Sequence, residues 1–302
     1  MKRELLKGIL LVTIGAVSYG ILTTLVSLAY NKGFTTMEIT VAQFAIGLVC
    51  MGTLVLFNRR TRTHHHKKPN GPYAIAKLII GGTTLSLTSV FYYLSVQTIP
   101  VSIGVVLLMQ SIWMGVVAES LLTKKWPGAG KSMAVLLVLA GTLLATDAIK
   151  NYNQLAIRGV LWGLAAAVVY TISIYVSTGI ALHLHPQVRS FWNLVGATAI
   201  VIIILLVQWP GSFNTAVIWK WGIWLAISGT ILPPLLFNIG LPKTGMGLGS
   251  ILIAIEIPVL VSMAWWLLHE EVRWLQWTGV VLIIVSVVLI NINNLKKDLT
   301  KK

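Results

Sequence analysis

Charge is what this chain has least of. Of its 302 residues, 10% are Asp, Glu, Lys or Arg, and only 8 are acidic. A soluble globular domain carries roughly 25% charged residues, so an ordinary water-facing surface is excluded. The lone cysteine, Cys50, falls inside an apolar run, which excludes an intrachain disulfide. Long polar segments are also missing. The longest, "NRRTRTHHHKKPNGP", is too short to fold alone, so no soluble domain is expected. The net charge of +15 does not read as a nucleic-acid footprint, because the basic residues sit in short loops between apolar runs. His64–His66 do not read as a metal site. Three adjacent histidines do not share one helix face, and no Cys or acid flanks them. They read as a solvated loop, and no metal or other cofactor is expected.

What the chain has instead is apolar length. Hydrophobic residues make up 56% of it, arranged in runs at 8–30, 36–57, 74–96, 101–122, 132–147, 158–182, 188–208, 219–240, 246–268 and 274–292. Most approach the roughly 20 residues that span a bilayer as a helix. The expected fold class is an all-α integral membrane protein of about ten transmembrane helices. The first run is longer than the roughly 7–15 apolar residues of a secretory signal, and reads as a retained helix. If the N-terminus lies inside, the inner segments hold most of the Lys and Arg, among them Lys7, Arg59, Lys124, Lys131, Arg189 and Lys243. The outer segments hold only Lys32, Lys150, Arg158, Lys220 and Arg273. Positive charge in short loops marks the cytoplasmic side. The reading is a multi-pass protein of a cytoplasmic-type (inner) membrane, with both termini cytoplasmic and the lipid bilayer as its surroundings.

The chain also resembles itself. "GILLVTIGAVSYGI" from Gly8 lines up with "GVLWGLAAAVVYTI" from Gly159, and pairs Tyr19 with Tyr170. Gly47 meets Gly196, "GTTL" from Gly82 meets "GTIL" from Gly229, and "YYLSVQTIPVSIG" from Tyr92 meets "FNIGLPKTGMGLG" from Phe237. The matches keep their order. They divide the chain into a first five-helix repeat at 1–147, a second at 158–292, and a basic cytoplasmic tail at 293–302. An odd number of helices makes the second repeat enter the membrane inverted. Two inverted repeats can exchange conformations, which is the geometry of alternating access.

One residue contradicts its surroundings. Glu256 lies within "ILIAIEIPVLVSMAWWLL". An acid at mid-helix costs roughly 3 kcal/mol on insertion scales. Its neighbours on the same helical face, Gly249, Leu252, Leu260 and Met263, cannot pair with it. Either desolvation holds it neutral, or a Tyr or Asn from another helix bonds it, or its partner is a substrate or a coupling proton. Pro258 should free the carbonyl of Ala254, and Pro233–Pro234 should break the preceding span. In the repeat register Ser111 answers Glu256, with Gln110 beside it, and Trp113 answers Pro258. Tyr19, Tyr170, Tyr92 and Asn238 complete the candidate cavity, although helix packing alone would account for any single aromatic. Most Trp, such as Trp209, Trp219, Trp221 and Trp274, suit interfacial anchoring. Glu119, Asp147 and Glu38 fall at span ends, within reach of headgroup water.

The ends of the two halves carry a resemblance. They read "LLTKKWPGAGKSMAVLLVLAGTLLAT" and "LLHEEVRWLQWTGVVLIIVSVVLI". The second is similar to the acid-containing turn and aromatic-Gln-aromatic-x-Gly helix start of the drug/metabolite transporter superfamily, EamA-type, here Glu270, Trp274, Gln276, Trp277 and Gly279. The chain departs from that pattern at Lys124 and Lys125, where the first turn usually carries Gly-Glu, and at Gln43, near the place of a frequent Arg. The resemblance implies a ten-helix secondary carrier, commonly an exporter, that moves small organic metabolites such as amino acids or amphipathic solutes. Such a carrier would use protons as a possible coupling ion and is not an enzyme. Two other readings compete: a lipid scramblase or assembly factor without a solute site, and a membrane-embedded enzyme. The latter would need a cluster of catalytic groups at one depth.

Overall fold

The computed structural model describes residues 2–59, 71–99, 101–147, 156–207, 211–269 and 271–299. His64–His66 and Glu270 lie outside the described residues. Every regular element among the described residues is helical, as lipid requires of a spanning backbone that must bond to itself. Repeat one runs α1 Lys2–Asn31, α2 Thr36–Arg59, α3 Gly71–Val96, α4 Val101–Leu108, α5 Ser111–Thr123 and α6 Ala129–Ala145. Repeat two runs α7 Ile157–Gly179, α8 Pro186–Val207, a composite third span, α11 Met246–Ile253, α12 Glu256–Leu267 and α13 Trp274–Leu299. Taking α4–α5, α11–α12 and the composite span as single crossings leaves 8 long apolar spans and two shorter ones, α6 and the apolar part of α13. The architecture is therefore ten crossings in two repeats. α13 runs on to Leu299, so its helix continues into the stretch expected as a basic tail from residue 293.

The composite span explains how Pro233–Pro234 are housed. It contains π-helical turns at Ile218–Gly222 and Ala226–Ile231, with α9 Ile223–Leu225 between them and α10 Leu232–Thr244 after them. The two prolines fall in the first turn of α10, where a missing N–H has least consequence. In the π register Pro233 could not donate to the Ser228 carbonyl, and the Ser18 hydroxyl of α1 donates to it instead (2.9 Å). The expected break is thus a change of helix type, sealed by the other repeat.

Packing is exchanged between the repeats. The first helix of each repeat lies on the third helix of the other: α1 on α10, and α7 on α3. Each also crosses the other repeat's broken helix, α1 on α11 and α12, α7 on α4 and α5. Like helices meet as well, α2 on α8 and α6 on α13. Small residues permit this closeness. At the α6–α13 crossing a Cβ on Gly141 would stand 2.8 Å from the Gly279 carbonyl oxygen. The largest buried cluster gathers Val12, Met109, Ile112, Tyr170, Phe237, Ile253 and Ile257 from both repeats.

Candidate functional site in the paired broken helices

The fourth span of each repeat is interrupted, and the interruptions coincide in the repeat register. Turns at Met109–Gln110 and Ala254–Ile255 separate α4 from α5 and α11 from α12. Gln110 (φ −58°, ψ −21°) and Ile255 (φ −61°, ψ −17°) have near-3₁₀ backbones. Three hydrogen bonds match across the register, although Met109 N–H donates four residues back, to Val105, and its counterpart Ala254 N–H only three back, to Ile251. Gln110 N–H donates to Leu107 as Ile255 N–H donates to Leu252 (3.1 and 3.2 Å). Ile112 N–H donates to Met109 as Ile257 N–H donates to Ala254 (3.0 and 3.1 Å). Met114 N–H donates to Gln110 as Val259 N–H donates to Ile255 (3.2 and 3.4 Å). The Ala254 carbonyl expected to be freed by Pro258 is therefore taken by Ile257. Pro258 cannot be the general cause of the break, since Trp113 stands in its place in repeat one.

Ser111 and Glu256 are the first residues of the two resumed helices. Ser111 is buried on α5. Glu256 is half-buried, while Ile253, Ala254, Ile257 and Pro258 around it are buried. The opening turn of a helix favours an acid by about 0.3–1 kcal/mol. That is well short of the roughly 3 kcal/mol an intramembrane acid costs. No described residue makes a hydrogen bond or ion pair to the Glu256 carboxylate. Tyr19, Tyr92 and Tyr170 all lie within electrostatic reach of it. Tyr170 is buried; Tyr19 and Tyr92 are half-buried. α1 is held against this point by Gly20, whose Cβ would meet the Glu256 carbonyl oxygen at 2.8 Å. Tyr19 also packs on Phe237, with ring centroids 5.7 Å apart.

The other candidate residues sit differently. Gln110 donates to the Val106 carbonyl (3.0 Å) and accepts from the Trp113 indole (2.9 Å), so the two satisfy each other on one helix face. Asn238 belongs to a second cluster. Its side-chain amide donates to Ser190 (2.9 Å), and its Oδ1 is buried without a partner. At the centre of that cluster is a residue the sequence reading placed among loop charges. Arg189 is fully buried. It donates to the carbonyls of Ile180 (3.0 Å), Asn238 (2.8 Å), Ser177 (2.7 Å) and Val176 (3.4 Å). It thus closes the C-terminal end of α7, where a cation is favoured. Its one signal in the sequence is Pro186, which opens α8 three residues earlier and places Arg189 inside the helix.

Four other acids are engaged at helix ends. Glu38 forms a capping box with Thr35 and accepts the Asn214 N–H (2.7 Å). Asp147 pairs with Arg273 (3.4 Å), Glu4 with Lys243, and Glu119 with Lys131. A cavity of about 680 Å³ lies away from Glu256, at the α12–α13 connection, lined by Trp265, Trp266, His269, Glu271, Val272 and Arg273.

The pattern of the EamA-like transporter family matches this chain twice, over residues 6–146 and 157–292. The chain belongs to the EamA-like transporter family. It is a multi-pass membrane protein built from two EamA repeats, in a family whose members are typically not enzymes. Many solved structures share its fold. One crystal structure superposes with a TM-score of 0.76 over 93% of this chain and 98% of the other, at 16% identity. No curated protein matches the chain. Within this EamA protein, each repeat contributes one broken helix, and Glu256 is the one acid at either break.

Proposed function

We propose that this EamA protein carries a small organic solute, amino-acid-like or otherwise amphipathic, outward across the cytoplasmic membrane by alternating access. The moving bodies are the halves at about 1–147 and 158–292, and both termini lie in the cytoplasm. Glu256 is the working group of the central site. During each cycle it exchanges a proton, as coupling ion, or the cationic part of the solute. Tyr19, Tyr92 and Tyr170 surround it, and Ser111 faces it across the repeat axis. Gln110 and Trp113 hold the matching turn, and Asn238 borders the site from α10.

The observation that carries this reading is Glu256 itself: an acid at the start of α12, beside a repeat-matched break, with no partner among the described residues. Broken helices at repeat-related places are where transporters bind their substrates. An intramembrane acid without a partner is functional by default. The test is transport by Glu256→Gln in vesicles reconstituted at equal protein. The variant keeps size and hydrogen bonding but cannot ionise. It should remain folded and membrane-inserted, and lose the response of transport to a pH gradient or to a cationic solute. Wild-type rate and pH profile in the variant would reduce Glu256 to a structural hydrogen-bonding group.

A further inference from the structure

The two broken helices are alike in backbone but not in how they meet. α5, the second half of one, packs closely on α11, the first half of the other. Gly115 of α5 leaves no room for a Cβ beside Ser250 of α11. In the repeat register the partners of this pair are α12 and α4, and those two share no comparable interface among the described residues. Among the described residues the repeats are therefore shut against each other along the α5–α11 seam and not along its counterpart.

A charge sits at the end of the shut seam. Glu119, one turn from the end of α5, turns its carboxylate onto the first residues of α11. A Cβ on Gly245 would lie 2.7 Å from Glu119 Oε1, and one on Gly247 would lie 2.5 Å from Oε2. The carboxylate thus meets the positive end of a helix dipole, and Lys131 of α6, whose ammonium also approaches Gly247, pairs with it. The ion pair is sheltered, with Lys131 and Glu119 side chains 25% and 20% exposed. The opposite mouth has nothing equivalent. Ala264 stands where Glu119 would be, and Pro100 and Ser102 stand for Gly245 and Gly247.

We propose that Glu119 is a gate residue. Braced by Lys131, its carboxylate holds α5 to the N-terminal end of α11 and shuts one mouth of the path, and it must leave Gly245 and Gly247 before that mouth can open. Glu119 acts through the position of α11 and does not touch the solute. The glycines are part of the device, because side chains at 245 and 247 would keep the carboxylate off the helix end. The matched turns at Met109–Gln110 and Ala254–Ile255 are the hinges about which α5 and α11 separate.

The proposal rests on the transporter assignment and not on the role of Glu256. Its test needs no solute, so the two can fail separately. In a Cys50→Ala background held in lipid nanodiscs, single cysteines replace Ser250, in the shut seam, or Leu260, which stands on α12 where Gly115 stands on α5. A hydrophilic thiol reagent reaches both faces of the disc. Glu119→Gln should speed labelling at 250 by roughly fivefold or more, the low end of coupling between linked sites, and should slow labelling at 260. That reciprocal change is what a shift between two gated states produces. Faster labelling at both positions would mean that the helices merely loosen, and unchanged labelling at both would mean that Glu119 holds nothing shut. Either result overturns the proposal. If Glu119→Gln does not fold, Gly247→Ala, whose methyl displaces the carboxylate, replaces it and must give the same reciprocal change or the proposal fails.

Discussion

At the scale of single residues, the repeat shows in strain as well as in sequence. Lys124 (φ 53°) and His269 (φ 55°) both take the left-handed conformation just after α5 and α12, and they correspond in the repeat register. A non-glycine residue there costs about 1–2 kcal/mol, and glycine is the usual solution at this helix-end position. Lys124 stands where the first turn of the family usually carries Gly, and its positive φ gives the physical content of that departure. Lys124→Gly should therefore stabilise the folded protein. The gain should be about 0.5 kcal/mol, because glycine also returns roughly 0.5–1 kcal/mol of entropy to the unfolded chain. A lower thermal midpoint in detergent would show that the lysine earns its place by another contact. Arg189 marks the limit of reading residues one at a time. A cation near a span end counts as a loop charge until its acceptors are known, and those acceptors come from α7, α10 and the loop after α7.

The helices were legible in number and placement because lipid imposes length and apolarity on each of them. Their interiors were not. Pro258 pointed to the correct helix, but the break precedes it by a full turn, and the matching break in repeat one carries neither Pro nor Gly at Met109–Gln110. What fixes both breaks is their common position between the repeats: α7 crosses α4 and α5, as α1 crosses α11 and α12. It follows that Pro258→Ala should leave the turn in place, with Ile257 N–H still donating to Ala254, at a stability cost below about 1 kcal/mol. A structure of the variant checks this. A straight, uninterrupted helix through 246–267 would show that the proline makes the break after all. The π-helical turn at Ala226–Ile231 escaped the sequence for a similar reason, since the donor to its Ser228 carbonyl is Ser18 of the other repeat.

For the whole molecule, the contacts between loops agree with the sides that the Lys and Arg distribution assigned. Glu4 reaches Lys243, and Glu119 on α5 meets both Lys131 and the start of α11, so the N-terminus, the α5–α6 turn and the α10–α11 turn share one face. Glu38 reaches Asn214 and Asp147 reaches Arg273, joining segments assigned to the opposite face. Removing the buried Arg189 from the loop census leaves the bias intact, because Lys7, Lys124, Lys125, Lys131 and Lys243 remain on the first face. That face is expected to be cytoplasmic, which also makes the mouth shut by Glu119 the inner one. In a Cys50→Ala variant in intact cells, a cysteine replacing the exposed Ser212 should react with an impermeant thiol reagent. Cysteines replacing Asn58 or Thr123 should react only after the membrane is opened. Every contact named here ties residues within one face, so the assignment stands or falls as a unit: labelling at 58 or 123 from outside would reverse all ten crossings together.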